Sequence, residues 1–155
     1  MNMLRAMMAT AGTLALAGGA SELEILRRGS VATRIAPAEN FTGTVRLQSQ
    51  FRRAEPSRLS GALVSFDAGA RTHWHSHPLG QTLVVTAGEG LVQRWGGMRE
   101  RIREGDIVWI PPGVKHWHGA GPSSEMSHVA LVEVSKGENV TWMEQVSEQQ
   151  YRGGS

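Results

Sequence analysis

Residues 69–88, GARTHWHSHPLGQTLVVTAG, and residues 105–116, GDIVWIPPGVKH, decide how this chain is read. In the first stretch His75 and His77 stand two apart. A Pro78-Leu79-Gly80 bend follows, and Gln81 then opens an apolar run that ends at Gly88. Side chains two apart on a strand leave the same face, with Cα atoms separated by roughly 6.7 Å of rise, so two imidazoles so placed can lean onto one ion. In the second stretch Asp106 to Ile110 reads as a strand stopped by Pro111-Pro112-Gly113, after which His116 can arrive from a distant part of the chain. All six histidines lie between His73 and His128.

Working outward, short apolar runs are punctuated by glycine and proline. Thr44–Gln48, Ser60–Phe66, Thr82–Thr86, Gly90–Trp95, Met98–Arg103, Asp106–Ile110 and Ser127–Val134 read as strands, with a Gly96-Gly97 hairpin signal among them. Turn signals come about every 8 to 12 residues, the rhythm of an all-β sandwich or barrel. Only Thr141–Tyr151 is expected to form a short C-terminal helix. With 155 residues, 40% of them hydrophobic, one domain is expected over residues 23–155. Residues 1–22 form an N-terminal extension. Arg5, the small apolar run Ala6–Ala17 and the Ala15-Leu16-Ala17 triplet read as a short signal peptide, too short to span a bilayer. The alternatives are an over-long start or a disordered tail. A cleaved signal over residues 1–20 would place the protein in the periplasm or outside the cell; otherwise it is cytoplasmic.

The chain has no cysteine, which excludes disulfides, zinc–thiolate sites and cysteine nucleophiles. Net charge is +2, and the arginines are scattered. Arg99, Arg101 and Arg103 alternate as on the solvent face of a strand, so no nucleic-acid stripe is expected. No membrane partner is expected either.

The two stretches resemble the paired motifs of the cupin family. The first runs Gly69, five residues, His75, one, His77, three, Gln81, six, Gly88; the second runs Gly105, five, Pro111, one, Gly113, two, His116. The resemblance implies a small jelly-roll barrel holding a divalent metal on His75, His77, Gln81 and His116. Two departures stand out. Gln81 replaces the glutamate usual in the first motif, and Ala120 stands where the second motif commonly has asparagine. A neutral amide leaves the full 2+ on the ion, which makes it a stronger Lewis acid and a better partner for an anion. Three imidazoles and an amide form a mixed N/O set suited to intermediate divalent ions, Mn(II), Fe(II), Co(II), Ni(II) or Zn(II). Without a metal, the same residues would be three hydrogen-bonded core histidines with a supporting amide.

A narrower resemblance, from Phe41-Thr42-Gly43-Thr44-Val45-Arg46 through Lys115-His116-Trp117-His118-Gly119-Ala120 to Trp142-Met143-Glu144, is to the bacterial manganese-dependent cupin hydroxynitrile lyases, which act on (R)-mandelonitrile. It implies an enzyme that cleaves cyanohydrins, and assembly as a homo-oligomer, a dimer or tetramer. It also implies a cavity role for His128, an imidazole suited to proton exchange near neutral pH. Parity puts His128, Ala130 and Val132 on one strand face, while Ala62 and Val64 share a face on another, and these four small residues are expected to line a pocket for a small-molecule substrate. His118 is expected to support His116 from behind, with a direct ligand role as the alternative, His73 to sit at the barrel mouth or pair with solvent, and Trp74, Trp109 and Trp117 to pack in the core. Two other classes remain open: an iron-dependent cupin dioxygenase or related oxidoreductase, and a non-catalytic metal or small-ligand binding module.

Overall fold

The computed structural model describes residues 22–153, and the proposed signal peptide lies outside the described residues. Twelve strands and one helix follow in order: β1 (Arg34–Ile35), β2 (Phe41–Thr42), β3 (Val45–Arg52), β4 (Leu59–Phe66), β5 (Arg71–Thr72), β6 (His75–Ser76), β7 (Gln81–Arg94), β8 (Glu100–Arg103), β9 (Ile107–Ile110), β10 (His116–Ala120), β11 (Met126–Glu133), β12 (Thr141–Trp142) and α1 (Glu148–Arg152). All pairings are antiparallel. One face of the barrel runs β1-β3-β4-β11-β7-β9. The other is built on β10, which pairs with β7 on one side and with β5 and β6 on the other; β8, β2 and β12 complete it.

The two faces share β7, and here the structure corrects the sequence reading. Thr82–Thr86 and Gly90–Trp95 look like separate strands across Gly88, yet they are one strand of 14 residues. Its first half pairs with β11 and β9, and its second half with β10 and β8. The register slips at Ser127/His128, opposite Ala87 and Val85. Gly88 follows at φ +74°, where a Cβ would stand 2.0 Å from the Glu125 carbonyl oxygen. Glycine therefore bends the strand from one face to the other rather than ending it.

Between the faces lie Val45, Val64, Phe66, Val85, Ile102, Ala120 and Met126, all buried. Trp117 alternates with His116 and His118 on β10 and so points to the opposite side. There it packs in a second cluster with Trp74, Leu91, Val146 and Tyr151. The C-terminal segment closes that cluster, and it too departs from expectation. Thr141 and Trp142 pair with Ser76 and His75 as a strand. The helix starts only after Ser147, whose side chain and that of Gln150 form a reciprocal cap. Arg71 is buried where it donates to Glu148 at 2.8 Å and lies 4.2 Å from the Tyr151 ring, and the Tyr151 hydroxyl donates to the Ala120 carbonyl. Trp74 and Trp117 are in the core as expected, but Trp109 is 58% exposed, because its parity on β9 places it with Ile107, 71% exposed, on the outer face.

Candidate metal centre

Local chain geometry gathers the site. His75 opens β6 and His116 opens β10, and the two are direct partners across the pair. After His77 the chain turns at Gly80, whose φ of +82° suits glycine, and Gln81 opens β7. The His77 carbonyl accepts from Gly80 N at 3.3 Å and from Gly113 N at 2.9 Å, which ties the two motif turns together. All four side chains are buried. Ring centroids lie 4.2 Å apart for His75–His116, 5.0 Å for His75–His77 and 5.7 Å for His77–His116.

Hydrogen bonding fixes the tautomers. Nδ1 of His75 donates to the His73 carbonyl at 2.9 Å, Nδ1 of His116 to the Val114 carbonyl at 2.9 Å, and Nδ1 of His77 to the Asn139 carbonyl at 2.5 Å. A carbonyl can only accept, so each Nδ1 carries the proton and each Nε2 is a bare lone pair. Burial keeps the rings neutral. It pushes His116 down to about 4 and, with the neighbouring imidazoles of His116 and His77, holds His75 well below its usual range. Nε2 of His77 is buried with no hydrogen-bond partner among the described residues. Nε2 of His116 lies 3.1 Å from the Gln81 side-chain amide. With every Nδ1 engaged by a carbonyl, the Nε2 lone pairs and the amide are left to bind a cation, a donor set for intermediate divalent metals. The residues present fit such an ion.

His118 stands beside His75 and His116, on the face its parity gives it. One ring nitrogen each from His75, His116 and His118 fall within 4.8 Å of one another, a cluster that could hold a metal ion and that does not include His77. The hydrogen bonding of His118 is of a different kind, however. Its Nδ1 meets Nε2 of His128 at 3.0 Å, and the outer nitrogens, Nε2 of His118 and Nδ1 of His128, are buried without partners. Burial lowers both rings, His128 to about 4, and the nearby His128 and His75 add to the effect on His118. Two neutral imidazoles in contact share one proton, so whichever ring donates, one outer nitrogen is a donor and the other an acceptor. Phe66 packs on both rings, at 5.3 Å from His128 and 6.0 Å from His118.

A cavity of about 710 Å³ opens beside these groups. His75, His77, Gln81, His118 and His128 line its buried end, and Ala62, Val64, Ala130 and Val132 line its apolar wall. Three contributors carried no legible signal. Asn139 acts on His77 through a backbone carbonyl, and its side chain donates to Ser60 Oγ at 3.2 Å. Trp142, assigned to a helix from sequence, lies 4.8 Å from the His75 ring and 5.3 Å from Phe41. His73 is not at the mouth: it is buried, and it serves the site through its carbonyl.

Comparison with known proteins agrees with this architecture. The cupin domain family matches residues 62–140. An (R)-mandelonitrile lyase of Granulicella tundricola is 54% identical over 130 residues, covering 84% of this chain and 99% of that protein. Among solved structures, a cupin-like protein of Thermotoga maritima is 37% identical with a TM-score of 0.73, covering 85% of this chain and 97% of the other. The polyketide cyclase RemF of Streptomyces resistomycificus, 17% identical with a TM-score of 0.65 over 84% of this chain and 92% of its own, shares the fold.

Proposed function

The chain belongs to the cupin family, and from that premise we propose that it is a metal-dependent lyase that cleaves, or in reverse forms, cyanohydrins such as mandelonitrile. The relative named (R)-mandelonitrile lyase supports the reaction class. The observation that supports the metal is that Nδ1 of His75, His77 and His116 is in each case engaged by a carbonyl while Nε2 of His77 is buried without a partner among the described residues. His75, His77, Gln81 and His116 would hold the ion, Mn(II) foremost, and Fe(II), Co(II), Ni(II) or Zn(II) suit the same donors. When bound, such an ion supplies Lewis acidity toward a substrate oxygen.

The protein's own residues do the rest. The His118–His128 pair accepts the hydroxyl proton at whichever outer nitrogen is bare. The carbon–carbon bond to the nitrile breaks with its electron pair leaving on cyanide, and the proton returns to give HCN and the aldehyde. Ala62, Val64, Ala130 and Val132 receive the apolar body of the substrate. The test is a mandelonitrile cleavage assay on purified protein before and after chelation. Activity is expected to vanish with chelator and return with Mn(II). Cleavage that survives complete removal of metal, or none in any metal-loaded form, contradicts the proposal.

A further expectation concerns Asn139. Its side-chain bond to Ser60 anchors the carbonyl that orients His77, and groups orienting metal-bound histidines are worth about 10- to 100-fold in metal affinity. Asn139→Ala is expected to weaken Mn(II) binding by about tenfold, measured by calorimetric titration. Unchanged affinity removes the residue from this role.

Assembly as a dimer or tetramer is part of the same proposal. Among the described residues strand β9 pairs with β7 alone, a sheet edge, and it presents Ile107 and Trp109 outward. An apolar open edge invites a second copy. Light scattering is expected to give a multiple of the 16.8 kDa chain mass, reduced by Trp109→Glu. A monomeric wild-type protein contradicts this.

A further inference from the structure

We infer that the natural substrate of the cavity carries an anionic group at the end remote from the reacting carbon, bound by Arg34 and Arg52. The inference rests on the cavity being the substrate site, as proposed above, and not on which bond is cleaved there.

The argument begins with charge. Among the described residues no aspartate or glutamate lines the cavity. The candidate metal donors at its buried end are neutral, so an ion held there keeps its whole charge. At the other end, among exposed lining residues, stand Arg34 from β1 and Arg52 from the end of β3, with the Gln50 amide beside them. Arg53, next in the chain to Arg52, pairs with Glu24. Arg34 and Arg52 have no ion-pair partner among the described residues, which they share with several other surface arginines; what sets these two apart is that they line the cavity with no carboxylate beside them. They are planar cationic forks suited to a carboxylate, set across the cavity from the neutral histidines.

Size points the same way. A cavity of about 710 Å³ is in the range that encloses a larger organic ligand, whereas a single-ring cyanohydrin fills a fraction of it. The reacting end would sit at the histidines, an apolar body against Ala62, Val64, Ala130 and Val132, and the anion between the two arginines.

The test is calorimetric binding of 4-formylbenzoate and of its uncharged methyl ester to the metal-loaded full chain and to the Arg34→Gln/Arg52→Gln double variant. The acid is expected to bind wild type about tenfold more tightly than the ester, an advantage that shrinks to about twofold in the double variant. A salt titration of the wild type needs no variant, and the same advantage should fall as ionic strength rises to roughly 0.5 M. Equal binding of acid and ester, or an advantage indifferent to salt, overturns the inference. So does a preference that survives the double substitution, since that outcome assigns the carboxylate to the histidine end. Because binding is read without turnover, failure to cleave mandelonitrile would remove the proposed reaction and leave this result standing. The converse holds equally.

Discussion

Replacing His116 with alanine is expected to remove the bound ion and to cut cyanohydrin cleavage by on the order of 10³ or more, since Lewis-acid stabilisation is worth several kcal/mol. His116 lies directly across the β6–β10 pair from His75, and its Nε2 opposes Gln81 Oε1 at 3.1 Å. In the metal-free protein His116 contributes its packing and the Nδ1 bond to the Val114 carbonyl, so the metal-free variant is expected to melt below the metal-free wild type. Saturating Mn(II) should then stabilise the wild type alone, by about 2.7 kcal/mol at a hundred times its dissociation constant. Thermal melts with and without Mn(II), read beside the activity, separate loss of the ion from loss of the fold. A variant that is still stabilised by Mn(II) contradicts the assignment.

The second large effect is expected at His128. Alanine there should lower kcat by on the order of 10²–10⁴ while the ion stays bound, because the substitution takes away one member of the proton-carrying pair and none of the proposed metal donors. Unchanged turnover would remove His128 from the mechanism. The same residue gives a stability signature. An unfolded chain protonates His128 below about 6.5, whereas burial keeps it neutral in the fold down to about 4. Unfolding therefore takes up a proton between those values, and stability is lost as pH falls through that window, by as much as about 3 kcal/mol for this one group. Above pH 6.5 the group is neutral in both states and contributes no slope. Metal-free His128→Ala is expected to lose less stability than metal-free wild type over the same acid range, as followed by denaturant melts.

The barrel was legible because its signals are local. Apolar runs bounded by glycine and proline mark strands, and the two histidine motifs carry their spacing in the chain. What escaped depends on partners remote in sequence. Gly88 reads as a strand end, and only the close approach of the Glu125 carbonyl shows that it is a bend within β7. Trp109 looks like core until the register of β9 on β7 turns it outward. Trp142 reads as helical until pairing with His75 makes it a strand residue. His118 shares a face with His116, which sequence can show; that its other side meets His128, ten residues on and across the barrel, it cannot. Asn139 acts through its main-chain oxygen, which no residue type announces.

The central claim is that His75, His77, Gln81 and His116 converge on one divalent ion. An anomalous difference map from crystals of the Mn(II)-loaded protein tests it most directly. The expected result is a single peak at roughly 2.0–2.3 Å from Nε2 of each of the three histidines and from Oε1 of Gln81, with His118 and His128 still joined to each other. A peak bound by His118 in place of His77, or active crystals with no peak at all, would contradict it.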